Sequence, residues 1–218
     1  RRKQMSGFMT FGNLLESRTR GLRDDAPENV LQLGNGVTKD GDVVFSDIAR
    51  MAGVSATDWS WSALFADFDN DGDKDIFISN GYPKAVNDLD YQTTMFAVRR
   101  ARTGGPGGAA AAKRGLDILR ELYPYEMSNY VFKNAGDLTF TDKTNAWGTE
   151  RPSFSYGAAY ADLDNDGKLD LVVNNIDAPA FIYENVQPKD SANHYLSIRL
   201  EGDGRNRRGI GTTLVLTA

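Results

Sequence analysis

The chain repeats itself, and the repeat carries an acidic loop. Slid along itself by 95 residues, Phe45-Ser46-Asp47 falls on Phe140-Thr141-Asp142, Ser60-Trp61 on Ser155-Tyr156, and Phe65-Ala66-Asp67 on Tyr160-Ala161-Asp162. Asp69-Asn70-Asp71-Gly72 then falls on Asp164-Asn165-Asp166-Gly167, Asp75 on Asp170 and Asn80 on Asn175. The register holds without a gap from Phe45 to Asn80. Upstream, aligning Asn35 with Asn134 requires a four-residue difference in length, which a hairpin loop tolerates. A fixed internal offset marks a duplicated unit, and such units bury their apolar faces by stacking on one another.

Each copy reads as β. Val30–Leu33 and Tyr130–Phe132 are short apolar runs that end in Asn/Gly turn signals, and Val43–Phe45 and Leu138–Phe140 follow them. Ser62–Ala66 and Gly157–Ala161 mix small and aromatic residues, and Ile76–Ile78 and Leu171–Val173 are short buried runs. Four short strands per copy is the pattern of a propeller blade or a similar meander, with a sandwich still open on strand pattern alone. Between the copies, Asn87–Arg102 and Ala109–Leu122 are rich in helix formers, with Leu116, Leu119 and Leu122 on one face. Gly104–Gly108, which includes Pro106, cannot continue a helix. The expected organisation is a helical or irregular segment over 1–28, a first repeat over 29–82, a helical-hairpin insertion between blades over 83–128, and a second repeat over 129–192. In a last segment, 193–218, the β pattern restarts at Tyr195–Leu200 and Thr213–Leu216.

Charge sharpens the picture. The chain has 30 Asp+Glu against 25 Lys+Arg, a net −5. The two nine-residue stretches Asp67–Asp75 and Asp162–Asp170 carry −4 and −3, so the other 200 residues sum to +2. Acidity concentrated in two loops calls for a counter-ion.

Both stretches read DxDxDGxxD: Asp67, Asp69, Asp71, Gly72, Asp73 and Asp75 in one, Asp162, Asp164, Asp166, Gly167, Lys168 and Asp170 in the other. Calcium takes six to eight oxygens, and alternate carboxylates at positions 1, 3 and 5 wrap one centre if the chain curls around it. Gly at position 6 permits the sharp turn. Position 9 offers a last carboxylate. Position 7 is Asp73 in one copy and Lys168 in the other, so it contributes its main-chain carbonyl or nothing. The expectation is two structural Ca²⁺ sites. An EF-hand shares the first six positions but needs a bidentate Glu at position 12, which is Ile78 or Val173 here, and two flanking helices. Magnesium prefers to keep several waters. The plain alternative is a pair of solvated acidic turns, but close carboxylate pairs repel by ~1 kcal/mol or more without a cation, and the arrangement occurs twice.

The run Trp59 to Gly72, with Asn134-x-Gly136-x-x-x-Phe140-x-Asp142, resembles the FG-GAP/VCBS repeat of integrin-α-like β-propellers. The tail Asn193-His194-Tyr195-Leu196-Ser197-Ile198-Arg199-Leu200, followed by Asn206 to Gly211, looks like the start of the ASPIC/UnbV module that follows such repeats in exported bacterial proteins. Asn80-Gly81-Tyr82 and Val86 to Asp90 are similar to secreted VCBS proteins of Bacteroidota. The resemblance implies a mainly β fold of propeller blades, calcium in hairpin loops, and an extracellular or outer-membrane location. It also implies a role in binding a protein or glycan at the cell surface, or in envelope assembly. Two units cannot close a propeller, which needs at least four blades, so the expectation is a partial propeller.

Other chemistry is thinner. The absence of Cys removes disulfides, thiolate metal sites and Cys nucleophiles, and a single His, His194, rules out multi-histidine sites. His194 itself reads as an ordinary edge residue. No apolar run is long enough to span a bilayer, and no secretory signal opens the chain. Gly108 to Lys113 imitates a phosphate loop but lacks the Gly at position 112 and the Ser/Thr at 114. The basic clusters Arg99-Arg100-Arg102, Lys113-Arg114 and Arg205-Arg207-Arg208 read as solvated faces, and with a net negative chain no nucleic-acid partner is expected. Trp59, Trp61, Tyr156 and Trp147 could form a sugar platform, but Trp61 and Tyr156 occupy equivalent repeat positions, which favours blade packing. No carboxylate pair outside the loops points to catalysis, so a binding protein is expected rather than an enzyme. The alternative is an extracellular carbohydrate-active lyase or hydrolase.

Overall fold

A computed structural model describes Glu16, Thr19, Arg20 and residues 28–83, 89–104, 108–121, 126–187, 193–202 and 204–216. In chain order the named elements are β1 (Gln32–Val37), β2 (Val43–Asp47), α1 (Ala49–Ala52), β3 (Ser60–Ala66), β4 (Asp75–Asn80), α2 (Leu89–Arg102), α3 (Gly108–Glu121), β5 (Tyr130–Asn134), β6 (Phe140–Asp142), β7 (Ser155–Ala161), β8 (Asp170–Asn175) and β9 (Phe181–Tyr183). They form three antiparallel sheets, β1-β2, β3-β4-β5-β6 and β7-β8-β9. The fold is mainly β.

The sheets do not follow the sequence repeats. The last two strands of the first copy pair with the first two of the second, Ile76 opposite Phe132 and Phe77 opposite Val131. A copy cut at its sequence borders therefore contributes to two sheets. For the same reason the helical hairpin α2–α3 does not separate blades, as the sequence led us to expect. It leaves one sheet after β4 and returns to the same sheet at β5. The hairpin has a small core of its own, with Val98, Ala101 and Ala112 buried and Tyr91, Met95 and Ala111 against them. Leu116, expected on the apolar face, is 40% exposed. The side chain of Leu119, and all of Leu122, Phe8, Phe11, Leu14, Leu15 and Val86–Asp88, lie outside the described residues. The upstream register also differs: Gly34, not Asn35, stands opposite Phe45, as Asn134 stands opposite Phe140. The longer β1–β2 turn hides this in the sequence.

Packing explains why β4 reads as a continuous apolar run. It is buried along its whole length. Ile76 and Ile78 face Ala49, Ala52, Val54 and Phe132, toward the β1–β2 side. Phe77, fully buried, faces the other way onto Ala66, Phe68, Val131, Leu171, Val173 and Phe181, toward the third sheet. A strand covered on both faces loses the apolar/polar alternation that marks a half-exposed one. Successive sheets are thus joined by shared cores, with β7 lying against β3 and β4.

At the end of the sheets away from the acidic loops, polar side chains form a buried chain. Asn129 accepts from the Asn80 N–H (2.8 Å) and donates to Ser155 Oγ (3.0 Å), which donates to Asn175 Oδ1 (2.7 Å). Gly81 lies beside it at φ +133, where a Cβ would come within 2.6 Å of the Ser153 carbonyl oxygen. We expect Gly81→Ala to cost roughly 1–3 kcal/mol through strain and overpacking. Calorimetry should record a melting temperature lower by about 3–10 °C, and an unchanged transition would remove this contact from the account.

The tail departs from expectation. Tyr195–Leu200 and Thr213–Leu216 form no strands. Alternating apolar residues make a strand only when a neighbour supplies the ladder, and here the main-chain bonds close local turns, from Gly202 to Arg207, Gly209 to Asn206 and Thr212 to Gly209. His194 is an exposed residue in this irregular stretch.

Candidate metal centre

Each acidic loop joins two antiparallel strands, β3 to β4 and β7 to β8, so the helix–loop–helix alternative fails on context. Asp67, Asp69 and Asp71 each place a carboxylate oxygen within 4.8 Å of the others, and so do Asp162, Asp164 and Asp166. The backbone builds both triads in the same way. Asp67 Oδ1 accepts from the Asp71 N–H (3.1 Å) and Oδ2 from the Gly72 N–H (3.0 Å). Asp162 accepts from the Asp166 N–H (3.1 Å) and the Gly167 N–H (3.0 Å). Gly72 and Gly167 have φ of 93° and 82°, as position 6 requires. Position 4 is left-handed too, Asn70 at 54° and Asn165 at 63°, a conformation Asn tolerates better than most residues. The same Asn stands at this position in both copies, a signal for the turn that the sequence itself carries.

Position 9 stands apart. Asp75 and Asp170 are buried, 0% and 4% exposed, and lie outside the triads. Asp75 Oδ2 accepts from the Phe68 N–H (3.0 Å) and Oδ1 from the Asn134 N–H (2.9 Å). Asp170 does the same with Leu163 (2.9 Å) and Asn185 (2.8 Å). Each carboxylate therefore closes its own loop and fastens it to the next strand of the sheet. Asn134 and Asn185 complete the arrangement, their amides donating to the Lys74 carbonyl (3.1 Å) and to the carbonyls of Phe68 (2.6 Å) and Leu169 (3.3 Å). Asn185 escaped the sequence analysis, although it occupies the same place after β9 that Asn134 occupies in β5.

Burial pushes the Asp75 carboxyl up from 3.8 to about 6, against the two N–H donors and with the charges of Asp69 and Asp71 adding to the rise. A carboxyl whose folded value exceeds its unfolded one weakens the fold as it ionises. This contribution to stability is present below the unfolded value and is lost as pH rises through about 6. In chelator, the Asp75 carboxyl carbon is expected to titrate by NMR near pH 6, and added calcium should lower the midpoint. A midpoint in the ordinary carboxylate range in chelator would refute this.

Two lysines enter the site. Lys133, on β5, donates to Asp69 Oδ2 and to Asp71 Oδ2, the latter at 2.6 Å. That hydrogen bond holds the Asp71 carboxyl below its ordinary value; burial works against the Lys133 ammonium, but its two carboxylate partners still raise it above that of a free lysine. Lys168, at position 7 of the second loop, donates to Asp166 Oδ2 (2.7 Å) and lowers that carboxyl in turn. The side chain at position 7 is thus no ligand in this copy. Asp73 leaves the triad as well, its carboxylate lying near Gly136. Lys133 carried no signal in the sequence, because a charged residue on β5 becomes part of the loop only once β5 pairs beside β4.

The chemistry of the site fits a hard cation. All donors are oxygen, and Asp69 Oδ1 is a buried carboxylate oxygen without a hydrogen-bond partner. Such an atom is costly unless something positive reaches it. The two loops also touch. Asn70 Nδ2 donates to the Gly167 carbonyl (3.2 Å), Gln187 and Asn193 donate to the Asp69 carbonyl (2.9 and 2.8 Å), and the Tyr195 ring lies against Gly167.

The other sequence candidates resolve differently. Trp61 stacks on Tyr156 (4.4 Å between centroids) and on Tyr82 (6.1 Å), and its indole N–H donates to the Gly81 carbonyl (2.7 Å). These rings stack on one another, although Trp61 keeps 45% of its surface exposed. Trp147 packs elsewhere, against the core that holds Phe77. Gly108–Lys113 opens α3 and follows a helix, not a strand, and Arg99, Arg100 and Arg102 are exposed on α2.

Blade-like antiparallel sheets carrying an acidic loop in the same hairpin define the class, a partial β-propeller. Residues 116–173 match the family of FG-GAP-like repeats, a span that runs from α3 through the second acidic loop into β8. The chain is also similar to cartilage acidic protein 1 of Homo sapiens, with 39% identity over 56 residues. That stretch is 25% of this chain, and it spans about 8% of the length of the human protein. Among the described residues, no helix is long and apolar enough to cross a membrane.

Proposed function

We propose that this chain is a calcium-binding β-propeller module of an exported or cell-surface protein, and that it binds a protein or glycan partner or takes part in envelope assembly. The observation that carries the reading is the same carboxylate triad built twice at one end of neighbouring sheets, with a buried Asp69 oxygen left without a partner. Asp67, Asp69 and Asp71 hold one ion, and Asp162, Asp164 and Asp166 the other. The carbonyls of Asp73 and Lys168 complete the sets, and Asp75 and Asp170 anchor the loops from behind. The ion's contribution is charge neutralisation and cross-linking of the hairpin, so it stabilises the folded state as any native-state ligand does. Millimolar calcium outside the cell would fill sites of modest affinity. The segment after 193 is read as the opening of an ASPIC/UnbV-like module.

The module binds and does not catalyse. Calorimetric titration with calcium chloride, followed by capture of envelope proteins or glycans with and without chelator, tests this. Uptake of two ions and calcium-dependent capture are expected. Turnover of a polysaccharide by the purified chain would overturn the non-enzymatic part, and absence of calcium uptake would overturn the metal part.

A further inference from the structure

The two loops share a backbone plan but not an electrostatic one. In the first, the Lys133 ammonium reaches in from β5 and bonds two members of the triad, Asp69 and Asp71. Because Leu171 pairs with Tyr183 as Ile76 pairs with Phe132, the equivalent place in the second loop is Glu184. Among the described residues, the second loop's own Lys168 bonds one carboxylate, Asp166, and Glu184 also draws on that ammonium. A divalent ion and an ammonium competing for the same carboxylate oxygens cannot both be satisfied, and a tethered competitor has a high effective concentration.

We propose that Lys133 is a built-in counter-cation that competes with calcium for Asp69 and Asp71, so that the two sites are unequal and the second loop fills first. The inference rests on the calcium reading above. It makes the first loop a site emptied by a modest fall in calcium, at which point Lys133 closes on the triad and keeps β5 tied to the loop.

The test is calorimetric titration of the chelator-stripped chain with calcium chloride. The parent is expected to show two classes of site separated by about tenfold or more, a difference of ~1.4 kcal/mol per decade. Asp164→Ala should abolish the tighter class. Lys133→Met should tighten the weaker class by about tenfold and leave the tighter one unchanged, and Lys133→Arg should restore the weak class. Lys133→Gln serves as a second variant if Lys133→Met does not fold. A residue that merely supported the loop would loosen binding when removed, so weakening in Lys133→Met overturns the proposal. So does a parent with equal sites, or a change confined to the tighter class. If parent and variants alike take up no calcium, the metal reading itself falls and the proposal with it, a result distinct from two sites indifferent to Lys133.

Discussion

Removing calcium is expected to lower the melting temperature of the chain by about 10–20 °C if both proposed sites are filled. Each site filled at a hundred times its dissociation constant adds ~2.7 kcal/mol, and a chain of this size gains about 2–4 °C per kcal/mol. Asp164→Ala should erase the larger share of the calcium-dependent rise and Asp69→Ala the smaller, because the second loop is the tighter site. In chelator Asp164→Ala should melt close to the parent, because it removes one of three crowded carboxylates, whereas Asp69→Ala also gives up the Lys133 ion pair and should melt somewhat lower. Scanning calorimetry with and without chelator reads both effects. Equal melting of the parent in the two buffers would mean that the loops are stabilised without a metal ion.

Asp75→Ala and Asp170→Ala are the second large effect, and this one does not depend on calcium. Each variant strips the acceptor from two main-chain N–H groups, one in its own loop and one on the adjoining strand (Asn134 in β5) or just beyond it (Asn185, after β9). A buried donor left without a partner costs ~1–3 kcal/mol and a half-buried one less, so Asp75→Ala should lose about 1–4 kcal/mol and Asp170→Ala, whose two partners are half-buried, about 1–3 kcal/mol. The loss should appear in chelator as fully as in calcium. Melting curves that differ from the parent only in calcium would make these two residues ligands first and anchors second.

How much of this was legible follows from how local each signal is. The nine-residue loops are local: spacing, Gly72 and Gly167, and the doubled pattern all lie within one turn of chain. The strands were legible through their apolar runs, and β4 lost its alternation because Phe77 and Ile78 face different neighbouring sheets. What the sequence hid is lateral. Which strand lies beside which decides that Lys133 reaches Asp69, that Asn134 and Asn185 back the two loops, and that the α2–α3 hairpin interrupts a sheet. The tail misled for the same reason, since Tyr195–Leu200 has the pattern of a strand but pairs with no strand among the described residues. Position 9 was legible as a carboxylate but not as an anchor, because its partners are main-chain groups that any residue would supply.

The sheets straddle the sequence repeats, and this bears on anyone who trims the chain. A cut at the end of the first copy severs β4 from β5 and exposes two raw edges, each ready to recruit a stranger. Scissors placed instead between β2 and β3, or between β6 and β7, fall in the stretches 48–59 and 143–154 and leave the four-stranded sheet whole. Like courses of brick laid with staggered joints, the copies hold together because no seam in one layer lines up with a seam in the next.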